Sequence, residues 1–153
     1  MELQLRNLSK QYGTKCAVDN VNAKLEPGVY GLLGANGAGK TTLMRMICGV
    51  LKPTSGDIRL NGKTINELGE QYYTHLGYMP QDFGFYPDFT AREFMLYMAA
   101  VKGLDKRVAK TRTQDLLHMV NLDDVADKKI KSYSGGMKQR LGIAQAELNN
   151  PSI

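Results

Sequence analysis

Residues Gly34–Thr42 read GANGAGKTT, set between the apolar run VYGLL and the segment LMRMI. No other stretch restricts the fold as strongly. VYGLLG is a continuous apolar run, the pattern of a β-strand buried on both faces. KTTLMRMICGV then puts Leu43, Met46, Ile47 and Val50 on one face of a helix. A buried strand that turns through glycines into a helix belongs to an α/β core.

The same stretch carries chemistry. GANGAGKT fits G-x-x-x-x-G-K-[ST] over Gly34–Thr41, in the strand–loop–helix context that pattern requires. Gly34, Gly37 and Gly39, with Asn36 and Ala38 between them, let the backbone curl so that successive N–H groups face one anion. The helix that follows offers unsatisfied N–H groups and the positive end of its dipole. Lys40 supplies a point charge for outer phosphates, Thr41 a hydroxyl for Mg²⁺, and Thr42 a hydroxyl for an inner phosphate. The glycine order is G-x-x-G-x-G, which disfavours a dinucleotide fold.

The remaining chain divides in character. MELQLRNLSKQYG alternates and reads as an edge strand ending at Gly13, and AVDNVNAKLEPG reads as a second strand. PTSG is a turn, DIRL a short strand, NGK a tight turn, and LGYMP a short buried strand ended by Pro80. From Thr90 the pattern is helical. Thr90 and Glu93 have capping-box spacing ahead of an apolar helix, a second helix runs from about Lys106 to Val120, and a third covers MKQRLGIAQAEL. These readings give a β part with the glycine loop over 1–81, a helical part over 82–135 that begins near Asp82, and a returning helix over 136–153.

Length and composition narrow the class. A chain of 153 residues suits one domain, and its net charge of +5 is spread among acids rather than blocked. Cys16 and Cys48 stand far apart without a CxxC, which argues for a reduced compartment and against a zinc site. The longest apolar run, Phe94–Val101, has eight residues, far short of the roughly 20 needed to cross a bilayer. Membrane contact is therefore expected through a partner, and nucleic acid is not the expected ligand. His75, before a strand, and His118, on an amphipathic helix, read as surface or packing residues.

A second anion-shaped feature lies at KSYSGGMKQR, where Ser134, Gly135 and Gly136 lead into a helix. Alone it reads as an ordinary N-cap after a loop. In combination with the rest it means more. GANGAGKTT, then LGYMPQD with Gln81, then YSGGMKQR, in that order and across nearly the whole chain, resemble the Walker A, Q-loop and signature motifs of the ATP-binding cassette (ABC) ATPases.

That resemblance implies an ABC-type P-loop NTPase core with an N-terminal antiparallel β part and a helical subdomain. It implies ATP and Mg²⁺ as cofactors, with Lys40 and Gln81 as candidate catalytic residues and Thr41 and Gln81 toward the metal. Tyr12 falls where the family stacks an aromatic on adenine. Ser134, Gly135 and Gly136 would close on the γ-phosphate held by a second cassette in a head-to-tail homodimer or paired cassette. The departure is YSGGM in place of LSGGQ, because Met137 cannot hydrogen-bond as a glutamine amide would. The family's acidic Mg²⁺ ligand, its catalytic acid and its switch histidine follow later than AELNNPSI, as do two core strands.

The function implied is ATP binding, and hydrolysis in the complete protein, by the subunit that energises a transmembrane permease. Such a subunit is cytoplasmic and peripheral on the inner face of a bacterial cell membrane. The 153-residue span alone is expected to hydrolyse ATP weakly. The competing readings are a soluble ABC protein acting on ribosomes or DNA and a non-hydrolysing nucleotide-binding remnant. A P-loop kinase or GTPase would leave YSGGMKQR unexplained.

Overall fold

The computed structural model describes residues 1–81 and 83–153. The chain forms two units, Met1–Tyr72 and Tyr73–Ile153. The sequence boundary near Asp82 falls on the one residue outside the described set.

The first unit is built on an antiparallel sheet in the order β2-β1-β3-β4, from β1 (Leu3–Tyr12), β2 (Lys15–Leu25), β3 (Ser55–Leu60) and β4 (Lys63–Thr64). Leu3, Leu5, Leu8, Ile58 and Leu60 bury one face of it. The step from Leu5 to Leu8 breaks strict alternation. A register shift there, with Asn7 at φ 45°, keeps both leucines on the core side. β1 pairs with both β2 and β3, so it is interior rather than the edge strand that its alternation suggested. The alternating pattern reports one solvated face, not how many neighbours a strand has.

Helix α1 (Lys40–Ile47) buries Met46 and Ile47, while Val50 beyond its end is exposed. The short helix α2 (Ile65–Leu68) begins with a capping box made by Thr64 and Glu67, a signature present in TINE. Helix α3 (Glu70–Thr74) crosses the boundary between the units, and within the first its Tyr72 hydroxyl donates to the Ile47 carbonyl at 2.6 Å.

The expected buried strand over VYGLLG is corrected. Val29–Gly34 is not a strand, no sheet of the described residues includes it, and Val29 and Leu33 are 104% and 91% exposed. An apolar run becomes a buried parallel strand only when neighbours flank it. None of the described residues fills that place.

The second unit is helical. Helices α4 (Ala91–Val101), α5 (Lys106–Met119) and α6 (Gly135–Ala146) supply its core at helical spacing: Ala91, Phe94, Met95 and Ala99, then Ala109, Leu116 and Leu117, then Leu141 and Ala144. Phe83 and Phe85 stack edgewise on Phe94, with ring centroids 5.9 and 5.4 Å away. The Thr90–Glu93 capping box forms as read, and its contact with backbone holds the Glu93 carboxyl below its ordinary range.

LGYMP is not assigned as a strand, yet Leu76 is buried and the backbone here begins a ladder. Ile153 donates to the His75 carbonyl at 2.9 Å and Gly77 donates to the Ile153 carbonyl at 2.8 Å, the alternation of a parallel pair. No helix among the described residues is long and apolar enough to cross a membrane.

Candidate functional site

The glycine loop sits against β2 in the first unit. Gly39 has φ 87°, and a Cβ there would lie 2.1 Å from the Ala17 carbonyl oxygen. Only glycine fits both the left-handed backbone and that close approach. Gly37, at φ 84°, has open space around it, so its demand is conformational.

Gly39 is also the N-cap of α1, and it offers no side chain to the helix. α2, α4, α5 and α6 each begin with a side-chain cap, from Thr64, Thr90, Asp105 and Ser134. α1 alone among these starts bare, with no acid in its first turn. Its first N–H groups therefore have no partner in their own helix, and its dipole is not offset locally.

The Lys40 ammonium folds back over the loop and donates to the carbonyls of Gly34 at 2.7 Å and Ala35 at 2.8 Å. A lysine held by two neutral carbonyls can exchange them for a charged oxygen, which makes the stronger hydrogen bond. Asn36 and Ala38 lie in the turn, Thr41 is exposed and Thr42 half-buried at the helix start. The chemistry on offer is a cradle for a polyphosphate.

Mg²⁺ fits this cradle in one way. No cluster of three or more metal-ligating side chains occurs among the described residues, and Thr41 contributes a single hydroxyl. Mg²⁺ retains waters and takes its remaining oxygens largely from substrate phosphates, so one hydroxyl suits it.

Tyr12 ends β1, where it pairs with Lys15 across the turn into β2. Its ring is 48% exposed, and the Lys10 ammonium stands 5.5 Å from the ring centroid. The ring is therefore an accessible flat surface. Cys16 beside it is exposed, whereas burial pushes the Cys48 thiol up to about 11.

In the second unit, Gln81 is exposed and lines a cleft of about 740 Å³ together with Met79, Pro80, Phe83, Phe85, Gly135, Lys138 and Gln139. Ser134 Oγ accepts from the Met137 N–H at 3.3 Å, which makes it the N-cap of α6. Gly135 and Gly136 are exposed, and a Cβ on either would meet nothing. Met137 packs against the helical core, which explains an apolar side chain at a position that resembled a glutamine.

His75 lies 3.1 Å from Ser152 Oγ, and exposed His118 pairs with Asp123 at 3.1 Å, so both are engaged at the surface. The loop residues and Tyr12 lie in the first unit, and Gln81 and Ser134–Gly136 in the second.

Comparison with known proteins identifies the family. The family model described as ABC transporter matches residues 18–153. The chain is 43% identical to the uncharacterized ABC transporter ATP-binding protein YxlF of Bacillus subtilis over 152 residues, covering 99% of this chain and 50% of that protein. It is 39% identical to the bacitracin transport ATP-binding protein BcrA of Bacillus licheniformis, covering 99% of this chain and 49% of that protein. A solved ATP-binding subunit of an ABC transporter superposes with TM-score 0.86 at 28% identity, covering 99% of this chain and 63% of the solved one. The chain spans about half the length of the curated relatives it matches. The family match over residues 18–153, on a chain of α/β architecture, places this chain in the ABC transporter family.

Proposed function

We propose that this chain carries the ATP-binding portion of the subunit that energises an ABC transporter, with the phosphates of ATP seated in the Gly34–Thr42 loop. The observation that carries the reading is the start of α1: an uncapped helix N-terminus, a Gly39 that tolerates no side chain, and a lysine folded over the loop. Backbone N–H groups hold the inner phosphates with Thr42. Lys40 leaves its carbonyl partners for the outer phosphates. Thr41 offers its hydroxyl to Mg²⁺, which when bound neutralises charge on the phosphate oxygens. Tyr12 stacks on the adenine, an interaction worth roughly 1–3 kcal/mol for a base on an aromatic ring.

Gln81 reaches the metal or the attacking water. The open glycines of α6 serve a body outside this unit: the γ-phosphate held by a second cassette in a head-to-tail dimer. A glycine with nothing near its missing Cβ is not demanded by local packing, and that supports an approach from outside. Hydrolysis needs an acid that positions water. The residues that supply it belong to the part of the relatives this chain does not span, so the 153-residue span binds nucleotide weakly and turns it over little. The whole protein works at the inner face of a bacterial membrane on a permease. A relative, 38% identical, from Cupriavidus metallidurans is named as a Nod factor export ATP-binding protein, which supports an export role.

Affinity capture of the full protein from its own cells, followed by identification of what comes with it, tests the reading. An integral membrane protein and Lys40-dependent ATPase activity are expected. Capture with RNA and no membrane protein would overturn the transport reading.

A further inference from the structure

The segment that leads into Gln81 is keyed into α6 by two notches. A Cβ on Gly142 would lie 3.3 Å from both Sδ and Cε of Met79 and 3.5 Å from its Cγ. A Cβ on Gly77 would lie 2.6 Å from Pro151 Cγ and 2.7 Å from the Ala146 carbonyl oxygen. The backbone pairing of Gly77 with Ile153 at 2.8 Å fixes the same segment along its length. Glycine inside a helix is unfavourable relative to alanine, so Gly142 carries a local cost that the Met79 seat accounts for.

The notch also points somewhere. Gly142 lies two helical turns after Gly135, so the two share a face of α6. Lys138 and Gln139 lie on that face between them, and with Gly135 they line the same cleft as Gln81. Only Pro80, whose φ is fixed, separates Met79 from Gln81. A shift of Met79 on α6 therefore moves Gln81 with little slack.

We propose that Met79 and Gly142 are positioning residues: their contact sets where Gln81 stands relative to the start of α6, and a movement of α6 is delivered to Gln81 through it. The proposal rests on the reading of Gln81 as a residue of the reaction. Two readouts on the full-length protein keep the two ideas apart. These 153 residues hold no tryptophan, so Phe83→Trp, in a full-length background whose other tryptophans are replaced by phenylalanine, places one reporter in the cleft. Gly142→Leu in that background should shift its emission, and adding Met79→Ala, which restores room, should return it. In steady-state ATPase assays Gly142→Leu should lower kcat about tenfold with KM for ATP changed less than about twofold, since the phosphate loop belongs to the other unit. Met79→Ala should recover most of that loss. If Gly142→Leu does not fold by circular dichroism, Gly142→Ala carries the test, with a smaller shift in the same direction. An unmoved emission, or a kcat loss that Met79→Ala does not reverse, overturns the seat. A reversible emission shift with unchanged kcat upholds the seat and removes Gln81 from the reaction.

Discussion

The two units treat their unsatisfied groups in opposite ways. In the helical unit α4, α5 and α6 all start under a side-chain cap, and the apolar faces of Phe94, Leu116 and Leu141 are covered by one another. In the first unit α1 starts bare and Val29–Leu33 stands uncovered, although α2 a few residues on has a complete capping box. The bare groups fall next to each other in sequence, on either side of the glycine loop. α1 lacks the side-chain cap that α2, α4, α5 and α6 have, and that difference is what the proposed phosphate site rests on.

The contrast can be broken at several points. Phe94→Ala removes a buried ring from the helical core and should destabilise that unit by about 3–5 kcal/mol. Denaturant unfolding measures the loss. If the units rest on separate cores, Cys48, buried in the first, should stay unreactive to iodoacetamide at neutral pH in this variant. Prompt labelling would show that the cores are shared.

Gly39→Ala forces a Cβ against the Ala17 carbonyl at φ 87° and should weaken nucleotide binding about tenfold or more, read by calorimetric titration. An unchanged affinity would mean that the loop geometry is not the one used. Thr90→Ala removes one cap and should lower the stability of the helical unit by about 1 kcal/mol, without effect on nucleotide binding.

The smallest effect is one of pH. The Thr90 N–H and hydroxyl hold the Glu93 carboxyl below its ordinary value of 4.5. A carboxyl lowered in the folded state contributes stability that is present above 4.5 and lost as pH falls through the lowered value. Glu93→Gln should therefore remove that contribution: the helical unit loses a little stability at neutral pH, keeps its stability at acid pH, and its acid limb flattens.

How far the sequence could be read follows from how local each feature is. The Thr90–Glu93 box and the α5 span are written within a few consecutive residues and stand where the spacing put them, while α6 begins two residues before the expected MKQRLGIAQAEL span and ends two before it. The Thr64–Glu67 box is equally local, written in TINE. Features that depend on distant neighbours were not legible. Alternation in β1 could not reveal that β2 and β3 flank it on both sides. The apolar run at Val29–Gly34 could not reveal that no described residue pairs with it. At the candidate site the left-handed glycines and the helix start at Lys40 follow from the motif, whereas the strand expected before them does not form among the described residues. The closeness of Gly39 to Ala17, and the seat of Met79 on Gly142, arise between residues far apart in the chain and needed coordinates.

Calorimetric titration of ATP with Mg²⁺ into the chain and into Lys40→Ala is the most direct test of the phosphate loop. The account predicts saturable binding that weakens about tenfold or more in the variant, the loss expected for one hydrogen bond to a charged group. Equal affinity in the two proteins would contradict it.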